Sequence, residues 1–426
     1  MKTNSAHPLH VSVLPSLKDI APAEWNACAN PTKLNSINMI APQPDSSSQD
    51  MGSMAGASES ISQPGAYNPF ISHEFLLSLE RSGSVGPGTG WQPVHIVLKD
   101  ENGTLQAAAP LYLKAHSMGE YVFDQGWAEA YERAGGAYYP KLQMSVPFTP
   151  ATGPRLLLRN ETHAPALIEA LQGLRAALKA SSVHATFLPK HQWNRLGEAG
   201  FLQRTDQQFH FFNEGYETFD DFLAALSSRK RKMIRHERKA ALSAGITIEW
   251  LTGADIQAQH WDAFFAFYMD TGARKWGRPY LTRKFFQEIG QTMPQDILLV
   301  MAKRDGKYIA GAINFIGSDA LYGRNWGTLE HHPFLHFEVC YYQAIEFAIA
   351  HKLPRVEAGA QGEHKLARGY KPVITYSAHD IADPRLKRAV ADYLVQERAA
   401  VAEHAQILGQ YTPFRRSDSE REMDGE

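Results

Sequence analysis

One strand-turn-strand pattern occurs twice in this chain, 203 positions apart, and it restricts the possible architectures more than any other feature. Val94 to Leu98 reads as a strand, Asp100-Glu101-Asn102-Gly103 as a turn, and Leu105 to Leu113 as a second strand. The shape returns as Ile297 to Met301, the turn Arg304-Asp305-Gly306-Lys307, and Tyr308 to Ile316. Without a gap, Gly103 falls on Gly306, Ala107 on Ala310, Ala109 on Ala312 and Leu113 on Ile316. A glycine in each turn supplies the positive φ that a tight hairpin needs. Both hairpins lead into an aromatic segment expected to be a third strand, GEYVFD at 119–124 and ALYGRNW at 320–326. Each half then carries an amphipathic helix running into a strand: 166–180 before 183–188, and 337–351 before 355–359. Apolar residues at 337, 340, 341, 344 and 348 mark a helix packed on a sheet. Self-similarity at this scale implies a duplication, with two α/β units in tandem.

The boundaries follow from composition. Residues 29–66 are rich in Ser, Met, Pro and Gly, poor in bulky apolar groups, and read as a flexible insertion in an N-terminal segment 1–66. The first unit spans 67–215, the second 216–385, and a helix with a polar tail fills 386–426. The second unit opens with an expected helix over 219–244, whose stretch 229–239 holds seven Lys or Arg against one Glu. That patch contrasts with a net charge of −2, which gives no whole-chain preference for DNA or anionic surfaces. Two cysteines, Cys28 and Cys340, form neither a disulfide framework nor a zinc pair. No apolar run resembles a signal peptide or a bilayer span, so a cytoplasmic protein is expected, with the basic helix as a possible peripheral contact at the inner membrane.

The order helix, strand, hairpin, strand, helix, strand resembles the GNAT fold, and its tandem form resembles the FemAB-type transferases. GEYVFDQGW and GAYYPKLQMSVPFTPATGPR within 119–158, with LHFEVCYYQAIEFAIAHKLPRVEAGAQGEHKLARGYKP at 335–372, are similar to the FemAB-like predicted N-acyltransferase family. The fold class implied is α/β (α+β), two GNAT-like units, each a mostly antiparallel sheet flanked by helices. The activity implied is transfer of an acyl group to a primary amine, in some relatives a long-chain, sphingoid-like one. GAQGEHKLARGY looks like the family's glycine-bearing loop, and by that resemblance Lys365 and Arg368 meet donor phosphate or carbonyl groups, with Gln361, Gly362, Gly369 and Tyr370 around them.

Amide formation needs a proton acceptor and donors for an oxyanion. The densest source is 330–370, where Glu338 and His336 are the first candidates for the base and His332, Glu363 and His364 lie close in sequence. Glu338 sits among apolar residues, where desolvation would favour a base, although a carboxylate in a first helical turn also has a purely structural use. The polar run between the two glycine turns reads as a rim unsuited to a core. His332 and His336 have ligand spacing, but Pro333 between them and the lack of further ligands argue against a metal. Tyr112, Tyr121, Asp124, Trp127, Tyr138, Tyr139 and Lys141 from the first unit, with Arg324, Asn325 and Trp326 from the second, are candidates for lining an acceptor cleft.

No tightly bound cofactor is expected, and acyl-CoA is the expected co-substrate. Neither helix entry, RNETHAPA or EHHPFLHFE, offers the usual glycine loop for a CoA pyrophosphate, so aminoacyl-tRNA held by the basic helix stays open as an alternative donor. A non-catalytic module recognising peptidoglycan or lipid is the reading outside enzymes.

Overall fold

The computed structural model describes residues 8–31, 58–59, 65–275, 279–359 and 362–415. Most of the 29–66 insertion, Gln361 and the acidic end of the tail lie outside the described residues. The strands are β1 (His10–Leu14), β2 (Ser58–Glu59), β3 (Trp91–Pro93), β4 (His95–Lys99), β5 (Leu105–Ala109), β6 (Leu111–Lys114), β7 (Lys141–Met144) and β8 (Leu157–Leu158). They continue as β9 (Ser182–Leu188), β10 (Leu202–Phe212), β11 (Thr247–Thr252), β12 (Ile297–Arg304), β13 (Lys307–Ile316), β14 (Ala320–Thr328), β15 (Arg355–Glu357) and β16 (Lys371–Ile381). The helices are α1 (Pro22–Ala29), α2 (His73–Arg81), α3 (Gln125–Arg133), α4 (Ala164–Ala177), α5 (Lys190–Glu198), α6 (Phe219–Ala225), α7 (Ser228–Ala241), α8 (Ala258–Lys275) and α9 (Arg283–Thr292). Helix α10 runs through Leu335–Phe337, a π turn at Glu338–Tyr342 and Gln343–Ala350, and α11 is Pro384–Gln410.

Both hairpins form, with Gly103 at φ 77° and Gly306 at φ 75° in their turns. They then diverge at one equivalent position. In the first unit the expected strand 105–113 breaks at Pro110, which has no N–H for a ladder. Strand β5 stays in a four-stranded sheet of order β1-β4-β5-β8, while β6 enters a second, larger sheet. The equivalent residue of the second unit is Ile313, where β13 runs on unbroken but the ladder shifts: Ala312 faces Trp326 and Asn314 faces Gly323. Arg324 and Asn325 are thus two bulged residues opposite one, an arrangement that kinks a strand and re-aims its side chains.

The larger sheet runs β11-β12-β13-β14-β15-β10-β16-β9-β7-β6-β3, with β2 beside β16. Its centre is an exchange of strands between the units. Strand β10, the last of the first unit, pairs with β15 of the second, and β16, the last of the second, pairs with β9 of the first. These two pair with each other from Leu202–His379 to His210–Lys371. Each unit keeps one parallel pair, β7 with β9 and β14 with β15, each three residues long.

Three expectations need correction. GEYVFD is irregular, because Gly119 and Tyr121 take positive φ (87° and 59°), and the third strand of the first unit is β7 instead. The single helix expected over 219–244 is two, α6 and α7, interrupted where extended Leu226 forms a β-bridge with Phe414, and the basic stretch lies on α7 alone. The run between the glycine turns is partly core: Lys365 and Arg368 are buried on a short 3-10 helix at Glu363–Arg368.

Candidate active site

Strands β14 and β15 pair only from Ala320–Arg355 to Tyr322–Glu357; β15 then ends while β14 continues to Thr328. Among the described residues, no strand therefore pairs with the backbone of β14 beyond Tyr322 on that side. A small hollow sits in the opening, lined by Asn314, Gly323, Arg324, Asn325, Trp326, His336, Cys340, Tyr341 and Ala358 among others. The corresponding opening in the first unit is closed by its own chain. Gly153 N–H donates to the Phe187 carbonyl, and buried Arg155 donates to the carbonyls of Ala151, Gly153 and Thr186. Burial pushes the Arg155 guanidinium down to about 9.

The bulge delivers Arg324 and Asn325 to the hollow and also to the edge of a nearly filled apolar crevice between Phe70, Phe75, Phe148, Phe285 and Phe315. Arg324 donates to the Phe148 carbonyl and lies beside Tyr121; burial lowers its pKa while the Tyr121 hydroxyl acts in the opposite sense. Asn314, 1% exposed, donates Nδ2 to the Leu298 carbonyl at 3.4 Å, and its Oδ1 has no partner. An unpaired buried amide oxygen costs about 1–3 kcal/mol and calls for an explanation.

The other wall comes from α10, whose π turn widens the helix where Cys340 and Tyr341 face the hollow. His336 packs against the Trp326 and Tyr341 rings, each 5.3 Å away. The Tyr341 hydroxyl and His364 Nε2 are 2.9 Å apart, and burial, aided by the Arg368 and Lys365 charges, lowers the His364 pKa. Behind them Arg368 lies 3.4 Å over the Phe337 ring and pairs with Glu237 at 2.9 Å. Lys365, 1% exposed, donates to the Gly359 carbonyl at 3.0 Å, and no carboxylate among the described residues pairs with it. Burial pushes its pKa down to about 8, opposed by Cys340 nearby. Tyr370 is fully buried with an unpartnered hydroxyl, pushed well above its usual pKa by burial.

Other sequence candidates lie elsewhere. Glu338 is fully buried, but Arg238 of α7 grips it at 3.0 Å and Gln343 donates to it at 2.7 Å, so it points into a salt bridge that Arg238 shares with Glu346. His332 hydrogen-bonds Glu330 at 2.8 Å on the surface. Glu363 is exposed near His404, Gly369 packs beside Phe222, and Gly362 holds φ 115° next to His364. In the first unit, Asp124, Lys141, Tyr138 and Trp127 form a buried polar knot with His184 and His379. Burial alone would raise the Asp124 carboxyl, but the Lys141 ammonium at 2.6 Å holds it well below the usual range. Tyr139 donates to Ser117, and Tyr112 is fully buried against Trp91. Of the first-unit candidates, Tyr121 reaches the hollow's arginine. No group of metal ligands occurs among the described residues.

A family model described as peptidoglycan biosynthesis/recognition, FemAB-like, matches residues 16–416. The chain belongs to this FemAB-like family. No curated protein matches the sequence. Similar solved structures include FemX, at 13% identity over 71% of this chain and 91% of that one, with a TM-score of 0.46. A tandem GNAT protein from the clavulanic acid biosynthesis pathway is 12% identical over 88% of this chain and 99% of its own, with a TM-score of 0.41. L-PGS from Bacillus licheniformis is 10% identical over 77% and 98%, with a TM-score of 0.47.

Sequence reasoning missed Asn314 and the role of Arg238. The first had a visible signal: the ungapped repeat sets Asn314 on Leu111, a polar residue where the other copy has an apolar one. No helix among the described residues is long and apolar enough to cross a membrane.

Proposed function

We propose that this FemAB-like protein is a transferase that moves an acyl or aminoacyl group onto a primary amine in the β14–β15 opening. The finer reading is an N-acyltransferase that takes an acyl-CoA donor and a long-chain, lipid-like amine. The observation that carries it is the opening itself, where unpaired strand backbone, a cation, a histidine and a free amide oxygen meet at one hollow. The free backbone of residues 323–326 suits an extended arm bearing amide groups, which would lie as an added strand. Asn314 Oδ1 accepts an N–H of the incoming amine, His336 takes its proton, and Arg324 faces the negative charge that develops on the carbonyl oxygen. The apolar rings of Phe148, Phe285 and Phe315 beside Arg324 and Asn325 suit an apolar group on one substrate.

Purified protein incubated with palmitoyl-CoA and a panel of long-chain amines should yield the amide by mass spectrometry. His336→Ala should fold normally and lose about a hundredfold in kcat. Glu338→Gln should instead lose about 3 kcal/mol of stability, the scale of breaking a buried ion pair, while folded enzyme keeps turning over. Wild-type kcat in His336→Ala overturns its role. The exposed basic residues Arg229, Lys232, Arg235 and Lys239 of α7 suit phosphates, which supports aminoacyl-tRNA as a second donor reading or an anionic membrane as a contact. Salt-sensitive retention of total tRNA in filter binding, with no amide from acyl-CoA, would favour tRNA. Neither activity nor tRNA binding would leave the recognition module.

A further inference from the structure

We propose that Cys340 carries the acyl group as a thioester, so that transfer runs in two half-steps through a covalent acyl-enzyme; this rests on the transfer reading above. Cys340 lines the hollow from the π turn, which also directs Tyr341 inward. The thiol lies within electrostatic reach of Lys365, a buried ammonium without a carboxylate partner among the described residues. Such a cation favours a thiolate over a thiol, and the thiolate is the nucleophile. His336 lines the same hollow and serves as the proton carrier. Asn314 supplies an independent sign that something binds there, since its buried Oδ1 faces this hollow without a partner.

In the first half-step the Cys340 sulfur attacks the carbonyl carbon of an acyl thioester. A new S–C bond forms, the donor's S–C bond breaks, and the proton given up by Cys340 passes through His336 to the departing thiolate. In the second, the amine nitrogen attacks the Cys340 thioester and the C–S bond breaks. The amine proton returns through His336 to the cysteine sulfur, and no oxidant or reductant takes part.

The chain carries its own control. Cys28 is buried away from the hollow, and burial pushes its thiol up to about 11, opposed by Arg159. Full-length protein mixed with palmitoyl-CoA without amine should gain one palmitoyl mass on the peptide containing Cys340. The adduct should be released by hydroxylamine, discharged by added amine, absent in Cys340→Ser and retained in Cys28→Ser. Turnover in Cys340→Ser should fall at least a hundredfold. Peptide mapping of the wild type needs no variant, so a folding defect cannot mimic the result. Amide formation without an adduct, or full turnover in Cys340→Ser, overturns the thioester and leaves the transfer reading standing. Neither adduct nor amide overturns both.

Discussion

Lys365 shows what a buried charge costs at the scale of one residue. Its displacement from 10.5 to about 8 corresponds to roughly 3 kcal/mol spent on keeping it charged in the folded state at neutral pH. Between pH 8 and 10.5 the folded protein binds fewer protons here than the unfolded chain, so this residue makes stability rise with pH across that window. Lys365→Met removes the burden but leaves the Gly359 carbonyl without its donor, a loss of about 1 kcal/mol. The variant should therefore be about 2 kcal/mol more stable than the wild type at pH 7 by urea denaturation, and the advantage should vanish toward pH 10. A gap that does not shrink with pH would mean that the lysine is not charged in the folded protein. The sequence marked Lys365 as a ligand group and read its surroundings as surface. Its burial depends on Leu366 and Tyr370 packing into the second unit's core, which a six-residue polar run does not reveal.

At the scale of elements, the hairpins, α4, α10 and their following strands were legible, because period and turn chemistry are local. What escaped was how equivalent strands are treated differently: a proline split one, and a bulge bent the other into a site. The bulge depends on close packing from both sides. A Cβ on Gly327 would lie 2.1 Å from the backbone oxygen of Phe267 on α8, so Gly327→Ala must push the helix off β14. Its stability should fall by about 3 kcal/mol, the upper range of overpacking, as read by thermal or urea unfolding. Gly323→Ala is the useful contrast. Its Cβ would meet Asn314 Oδ1 at 3.3 Å and no other atom closer, so the fold should survive with nearly wild-type stability while the narrowed hollow loses turnover. A loss in Gly327→Ala as small as that in Gly323→Ala would show that α8 accommodates the methyl.

At the scale of the molecule, the repeat announced two units but contained no sign that they trade their last strands. Pairing partners far apart in sequence leave no local pattern, and β10 reads the same whichever neighbour it meets. The exchange makes the units interdependent. Strand β10 has the second unit's β15 and β16 as its ladder partners, and β9 relies on β16. The opening segment adds to this, since Phe70 and Phe75 pack on Phe315 at 5.0 and 5.4 Å, within one core that both units build. A chain cut at residue 215 should consequently yield two fragments that each expose unpaired strand edges and half a core. Expressed alone, each should aggregate or show no cooperative unfolding; co-expressed, they should elute together and regain a single transition. The hollow belongs to the second unit, yet Tyr121 and the Phe148 carbonyl hold Arg324 from the first. Activity should therefore return only with the reassembled pair, and a second-unit fragment that folds and turns over by itself would show that the exchanged strand is dispensable.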